Sequence, residues 1–146
     1  MIRFEMFSNV NLTAAGHTIE AGVRRVVNNT AAALLTQIRV NASTGYHRRG
    51  LPHIAGTGPG PNVATGDYRR SWNIRTGTSL AGAPEALVST NAPQAARLEL
   101  GFVGADSLGR VFNQPPYPHV RPAVEQLRPG FIADVQAVVD QQTRRA

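Results

Sequence analysis

Residues 18–38 read TIEAGVRRVVNNTAAALLTQI. Ile19, Val23, Val26, Val27, Thr30, Leu34 and Ile38 recur at three and four residues, which puts them on one face of an α-helix. Ala31, Ala32 and Ala33 favour helix by propensity, because alanine loses no side-chain entropy there. Arg24, Arg25 and Arg39 fall mainly off the apolar stripe, on the wet side. Thr18 is expected to cap the start and Gly45 to stop the end. Upstream, Ile2, Phe4 and Met6 alternate with Arg3 and Glu5, a period of two that predicts a short strand. Residues 9–18 are small and polar, a connection.

Downstream of the helix the pattern disappears. From Ser43 to Ala64 no apolar period survives and Gly and Pro recur, so a long loop is expected, with its extended part over residues 44–64. Ser71–Thr76 and Glu85–Thr90 read as two strands joined by a turn over Gly77–Pro84, a hairpin. Ala92–Leu100 fits a short helix or a strand edge, and Gly101–Gln114 reads as loop. Pro115-Pro116-Tyr117-Pro118 is extended by necessity. A second helix is predicted from Arg121, with Val124, Leu127, Phe131, Val135 and Val138 as its stripe and Pro122 in its first turn. Pro129-Gly130 should kink or interrupt it. The order strand, long helix, sheet, terminal helix predicts an α+β fold. A small antiparallel sheet would be packed by an N-terminal and a C-terminal helix, in one domain spanning 1–146.

Composition removes several functions. The chain has 146 residues, 42% of them hydrophobic and 6% aromatic, enough for a modest aliphatic core. It has no cysteine, so disulfides and thiolate metal sites are excluded. No apolar run approaches the ~18–20 residues of a membrane span, and MIRFEMFSNV lacks the apolar core of a signal peptide, so synthesis in the cytoplasm is expected. Without such a signal the sequons at Asn28 and Asn41 carry no meaning. Fifteen basic residues face nine acidic ones, a net charge of +6, and every basic residue is arginine. Arginine is the planar, weakly hydrated cation suited to interfaces and phosphates.

The chemistry-bearing patterns fail one by one. A phosphate-binding P-loop needs a Gly-Lys-Ser/Thr ending, and there is no lysine. Gly56-Thr57-Gly58-Pro59-Gly60 lacks the third glycine of a dinucleotide loop, and Pro59 and Pro61 remove backbone N–H donors that would face phosphate. His17, His47, His53 and His119 are scattered without metal-ligand spacing. No G-x-S-x-G elbow accompanies any serine, and the nine acids are too widely spaced to suggest a paired acid–base site. No cofactor is expected. What remains is a set of arginines beside aromatics: Arg48 and Arg49 with Tyr46, and Arg69 and Arg70 with Tyr68 and Trp72. Such groups stack on bases or clasp phosphates, but they also serve as subunit contacts.

Three segments, in order, resemble one family. Thr65-Gly66-Asp67-Tyr68-Arg69-Arg70-Ser71 is similar to a "TG, any residue, large apolar, two residues, Ser" lead-in to a strand. NAPQAARLELG, residues 91–101, is similar to a segment closing on "E, any residue, G". Pro118-His119-Val120-Arg121-Pro122-Ala123 resembles "P-F-apolar-R-P-A" at the start of a terminal helix. The family is that of tailed-phage neck and tail-completion proteins, and the resemblance covers about 120 residues. Leu100 stands where many members have an aromatic, His119 replaces the usual Phe, and the Pro129-Gly130 break is atypical.

The resemblance implies a structural virion protein without catalysis. It would form a homo-oligomeric ring at the head–tail junction of a long-tailed phage, against connector and tail proteins and around the exiting DNA. Arg48, Arg49, Arg69, Arg70 and Arg121, with Tyr46, Tyr68 and Trp72, are the expected interface or DNA-channel contacts. Tyr68 and Trp72 would anchor the arm to the sheet, and Pro118, Arg121 and Pro122 would set the angle of the terminal helix. Two other assignments fit the same residues: a tail-terminator ring, and, in a different class, a small basic nucleic-acid-binding regulator.

Overall fold

The computed structural model describes residues 2–7, 16–44, 61 and 66–144. The element order is β1 (Ile2–Phe7), α1 (Gly16–Asn41), α2 (Asp67–Arg70), β2 (Asn73–Thr78), β3 (Pro84–Thr90), α3 (Ala95–Leu100), β4 (Phe102–Ala105), β5 (Val111–Gln114) and α4 (Val120–Thr143). The fold is α+β. One antiparallel sheet runs β1-β3-β2, and β4 and β5 form a second, two-stranded one. β3 is central, pairing Val88 with Phe4 on one side and with Ile74 on the other.

The core lies between β3 and α1. Pro84, Ala86, Val88 and Thr90 are buried while the residues between them are half-buried, the alternation of a strand covered on one face. Ile19, Val23, Val27, Ala31, Leu34 and Ile38 of α1 meet that face, and all are buried. Val26 and Thr30, expected on the same stripe, are half-buried at its margin. Each fully buried Val or Ile contributes roughly 1.5–3 kcal/mol relative to exposure. Arg24 ties α1 to the end of β2, donating to the Gly77 carbonyl at 3.2 Å and to Thr78 Oγ1 at 3.2 Å while pairing with Glu20 at 2.7 Å.

α4 lies along α1 and its apolar stripe, from Val124 through Leu127, Phe131 and Val135 to Val138, is half-buried against it. The helices come close at Gly22, where a Cβ would stand 2.5 Å from Val138 Cγ1. Gly22→Ala gains about 1 kcal/mol of helix propensity but forces a short β-branched side chain aside, at about 1–3 kcal/mol. The expected result is a net loss of stability, read as a lower urea midpoint. Adding Val138→Ala should recover more than additivity allows, and strict additivity would rule out the contact.

Several sequence expectations are corrected. Thr18 does not cap α1, which begins at Gly16 and carries Thr18 inside it. α1 ends at Asn41 on short-range bonds, Ala42 N–H to Ile38 O at 2.8 Å and Ser43 N–H to Val40 O at 2.9 Å, with Ser43 Oγ donating to Arg39 O at 2.6 Å. Gly45 and nearly all of the loop 44–64 lie outside the described residues; Pro61, within it, is buried. Ser71 belongs to the end of α2 rather than to a strand, because its N–H bonds back to Asp67 O at 2.9 Å. β2 therefore runs from Asn73 to Thr78, and the turn is Ser79–Ala83, closed by Ser79 N–H to Ala83 O at 2.8 Å. Residues 101–114 are not loop but the β4–β5 hairpin. Pro129-Gly130 does not interrupt α4. Both residues are exposed, so the carbonyl four residues before Pro129 faces the wet side of the helix, while the stripe keeps its packing on α1 through the site.

Candidate functional site

Among the residues expected to matter, Tyr46, Arg48 and Arg49 lie outside the described residues. The other five do not form one charged patch. Arg69 is half-buried and donates to Ser43 Oγ at 3.1 Å, laid against the end of α1. Arg70 is exposed and pairs with Asp67 at 2.5 Å within α2. Arg121 is exposed, with Glu125 3.7 Å away on the next turn of α4. Tyr68 and Trp72 turn inward instead.

Trp72 is 1% exposed and joins the main core. Its ring lies edge-on to Tyr68 and to His119, with centroids 6.2 and 6.1 Å apart, and Tyr68 and His119 are edge-on to each other at 5.4 Å. Arg39 of α1 holds the Trp72 carbonyl at 2.9 Å. Next to this trio Ser71 Oγ and Thr90 Oγ1 share a 2.6 Å hydrogen bond, which joins the end of α2 to the end of β3.

The centre of the arrangement is Glu99, which the sequence placed only inside a motif. It is buried on α3, and its carboxylate accepts three backbone N–H bonds: from His119 at 2.9 Å, Val120 at 3.0 Å and Arg121 at 2.8 Å. These are among the first amides of α4, which have no partner inside their own helix. His119, next to α4, makes no side-chain cap of its own. A side chain on α3 therefore supplies the cap, and its negative charge complements the positive end of the α4 dipole. Asn41 at the end of α1 adds a bond from Nδ2 to the His119 carbonyl at 3.0 Å.

The fully buried His119 ring is saturated as well. Nδ1 faces the Tyr117 carbonyl at 2.9 Å and Glu99 Oε2 at 3.1 Å, both acceptors, so it carries the proton. Nε2 then accepts from the Tyr68 hydroxyl at 2.6 Å. Burial pushes the Tyr68 phenol well above its ordinary value, and burial also holds the His119 imidazole below its usual 6.5, against the opposing pull of Tyr117 and Glu99. A tyrosine, a histidine and a carboxylate in sequence can in principle pass a proton. Here the histidine side chain is fully buried and the carboxylate accepts three main-chain N–H bonds at the start of α4. Among the described residues no three His, Asp or Glu side chains could hold a metal ion, and no helix is long and apolar enough to cross a membrane.

The depressed His119 value predicts a pH dependence. Well above pH 6.5 the imidazole is neutral in both folded and unfolded chains and the network is intact. As pH falls through 6.5 the unfolded chain takes up the proton more readily, so folding free energy is lost on the acid side. The urea midpoint should be flat from pH 8 to 7 and fall below pH 6.5. His119→Phe combined with Tyr68→Phe, which avoids stranding the hydroxyl, should flatten that segment. An unchanged acid slope in the double variant would assign it to other groups.

No protein-family model matches the chain, and no curated protein or solved structure is significantly similar to it.

Proposed function

We propose that this chain is a non-enzymatic structural subunit of a tailed-phage neck, which closes with copies of itself into a ring at the head–tail junction and completes or joins the tail for DNA passage. One observation supports it above others. The segments that carry the family resemblance, 65–71, 91–101 and 118–123, are far apart in sequence yet contribute Tyr68, Glu99 and His119 to one hydrogen-bonded network. Three segments far apart in sequence that meet to hold backbone suit a scaffold whose product is a shape.

The surfaces fit assembly. Among the described residues β1 and β2 each pair with β3 alone, and unpaired sheet edges are the usual place for another chain to add. The β4–β5 hairpin turns Phe102 and Phe112 inward and leaves Val103 and Val111 80% and 82% exposed on its outer face. A head-to-tail contact through such surfaces closes a ring when the rotation permits. Arg70 and Arg121 reach solvent, each beside an acid of its own helix, and fall to non-specific contact with exiting DNA.

Native mass measurement on the purified chain tests this. A single defined oligomer is expected, and Val103→Asp or Val111→Asp should shift it to monomer while leaving the fold intact by circular dichroism. A chain that stays monomeric at every concentration and binds random duplex tightly at physiological salt would overturn the proposal in favour of the nucleic-acid regulator.

A further inference from the structure

A groove of about 800 Å³ runs between α3 and the start of β4, open to solvent, with Pro93, Ala96, Leu100 and Phe102 as its apolar wall and Arg97 and Asp106 as its charges. We propose that it is a docking site for an extended segment of a different, acidic protein, which seats an apolar side chain on Leu100 and Phe102 and a carboxylate on Arg97.

Three features argue for this occupant. Leu100 is 75% exposed at the rim, apolar surface that nothing among the described residues covers. Among the described residues β4 pairs with β5 alone, so its other edge has backbone groups for an incoming strand. Charge then selects the partner. Asp106 is already balanced, because Arg110 grips Oδ2 at 2.6–2.7 Å and the N–H groups of Leu108 and Arg110 bond Oδ1 at 2.9 and 3.0 Å. Arg97 adds to the Arg110 hydrogen bond in holding the Asp106 carboxyl below its usual range, but it makes no ion pair of its own among the described residues. Its guanidinium stacks 5.5 Å from the Phe112 ring centroid, which fixes its direction, its Nε is buried without an acceptor, and no carboxylate of the described residues lies within ion-pair distance. A second copy is a poor source of that carboxylate. Its net charge of +6 repels a second +6 copy, and Glu20, Asp67, Asp106 and Glu125 already sit beside arginines of their own chain. The site stands or falls independently of the ring.

Titration of the full ¹⁵N-labelled chain provides the test. The probes are blocked heptapeptides holding one Leu and one Asp at varied separation, each with an Asn-for-Asp twin. Acidic peptides should move the Arg97 Nε–H and the Leu100 and Phe102 amide resonances, and the Asn twins should bind about tenfold more weakly or worse, the usual size of a lost charge-assisted bond. Arg97→Gln should erase the difference between twins, and Arg25→Gln, at an exposed arginine on α1, should leave it untouched. The proposal is overturned by equal binding of the twins, by no shift at these three residues, by equal losses in both arginine variants, or by the Arg97 Nε–H resonance moving when the protein alone is concentrated.

Discussion

Glu99→Ala should cost about 3 kcal/mol or more of folding stability, a large share of the roughly 5–15 kcal/mol that holds a domain of this size. The reason is the asymmetry of buried hydrogen bonds. The three amides of His119, Val120 and Arg121 have no helical partner upstream, and the first two of their bonds to Glu99 are fully buried. Removing the acceptor leaves donors that water reaches poorly, at about 1–3 kcal/mol each where access is closed. Loss of an ordinary helix cap costs only ~1 kcal/mol, because solvent replaces it. Glu99→Gln is no rescue: its amide offers one acceptor oxygen and turns an N–H₂ donor toward other donors. Urea unfolding of both variants, with unchanged m-values, measures the loss. A cost below 1 kcal/mol for Glu99→Ala would mean that the start of α4 finds other acceptors and that Glu99 is incidental.

How much of this the sequence displays depends on the kind of contact. α1 was legible because Ile19 through Ile38 repeat at the helical period and bury one face, a signal that composition cannot mimic. β2 and β3 were legible because Glu85–Thr90 is enriched in strand formers and bounded by turn residues. The β4–β5 hairpin was not. Its strands have four residues each, the glycines at 101, 104 and 109 read as loop, and its outer face carries Val103 and Val111 where a monomer would place polar groups. What fixes its turn is the Asp106 carboxylate catching two backbone N–H groups, and Asp-Ser-Leu-Gly does not spell that out. Pro129 was misleading in the other direction, because its cost depends on which side of the helix its missing donor faces. Glu99 was hidden for a similar reason: its partners are main-chain amides some twenty residues away, and an amide leaves no mark on residue type. His119 was visible as a departure from the motif, but its partner Tyr68, fifty-one residues upstream, was assigned to an interface.

Gly101→Ala should be the second severe variant, with a loss of about 3 kcal/mol or more, two residues beyond Glu99 and by a different mechanism. Gly101 ends α3 at φ 79° and ψ 175°, a region open essentially only to glycine, where another residue costs about 1–3 kcal/mol. Space is also lacking. A Cβ would stand 2.9 Å from the Gln114 carbonyl oxygen and 3.0 Å from the Pro116 nitrogen, both backbone atoms with no rotamer to change. Relief therefore requires β5 and the Pro115–Pro118 segment to move, and that segment is tied to α3 by the Tyr117 N–H to Leu98 carbonyl bond at 2.7 Å. The damage should be directional: amide exchange protection should fall first in Phe102–Ala105 and Val111–Gln114 and last in α1, whose core is remote from the clash. Gly82→Ala separates the two causes. Gly82 has φ 80° but nothing within 4 Å of its Cβ position, so its variant should show the dihedral cost alone, about 1–2 kcal/mol. Equal losses at the two glycines would mean that Gln114 and Pro116 yield to a methyl group. The turn from α3 into β4 would then be held by the conformation of Gly101 and not by its contact with the strand beside it.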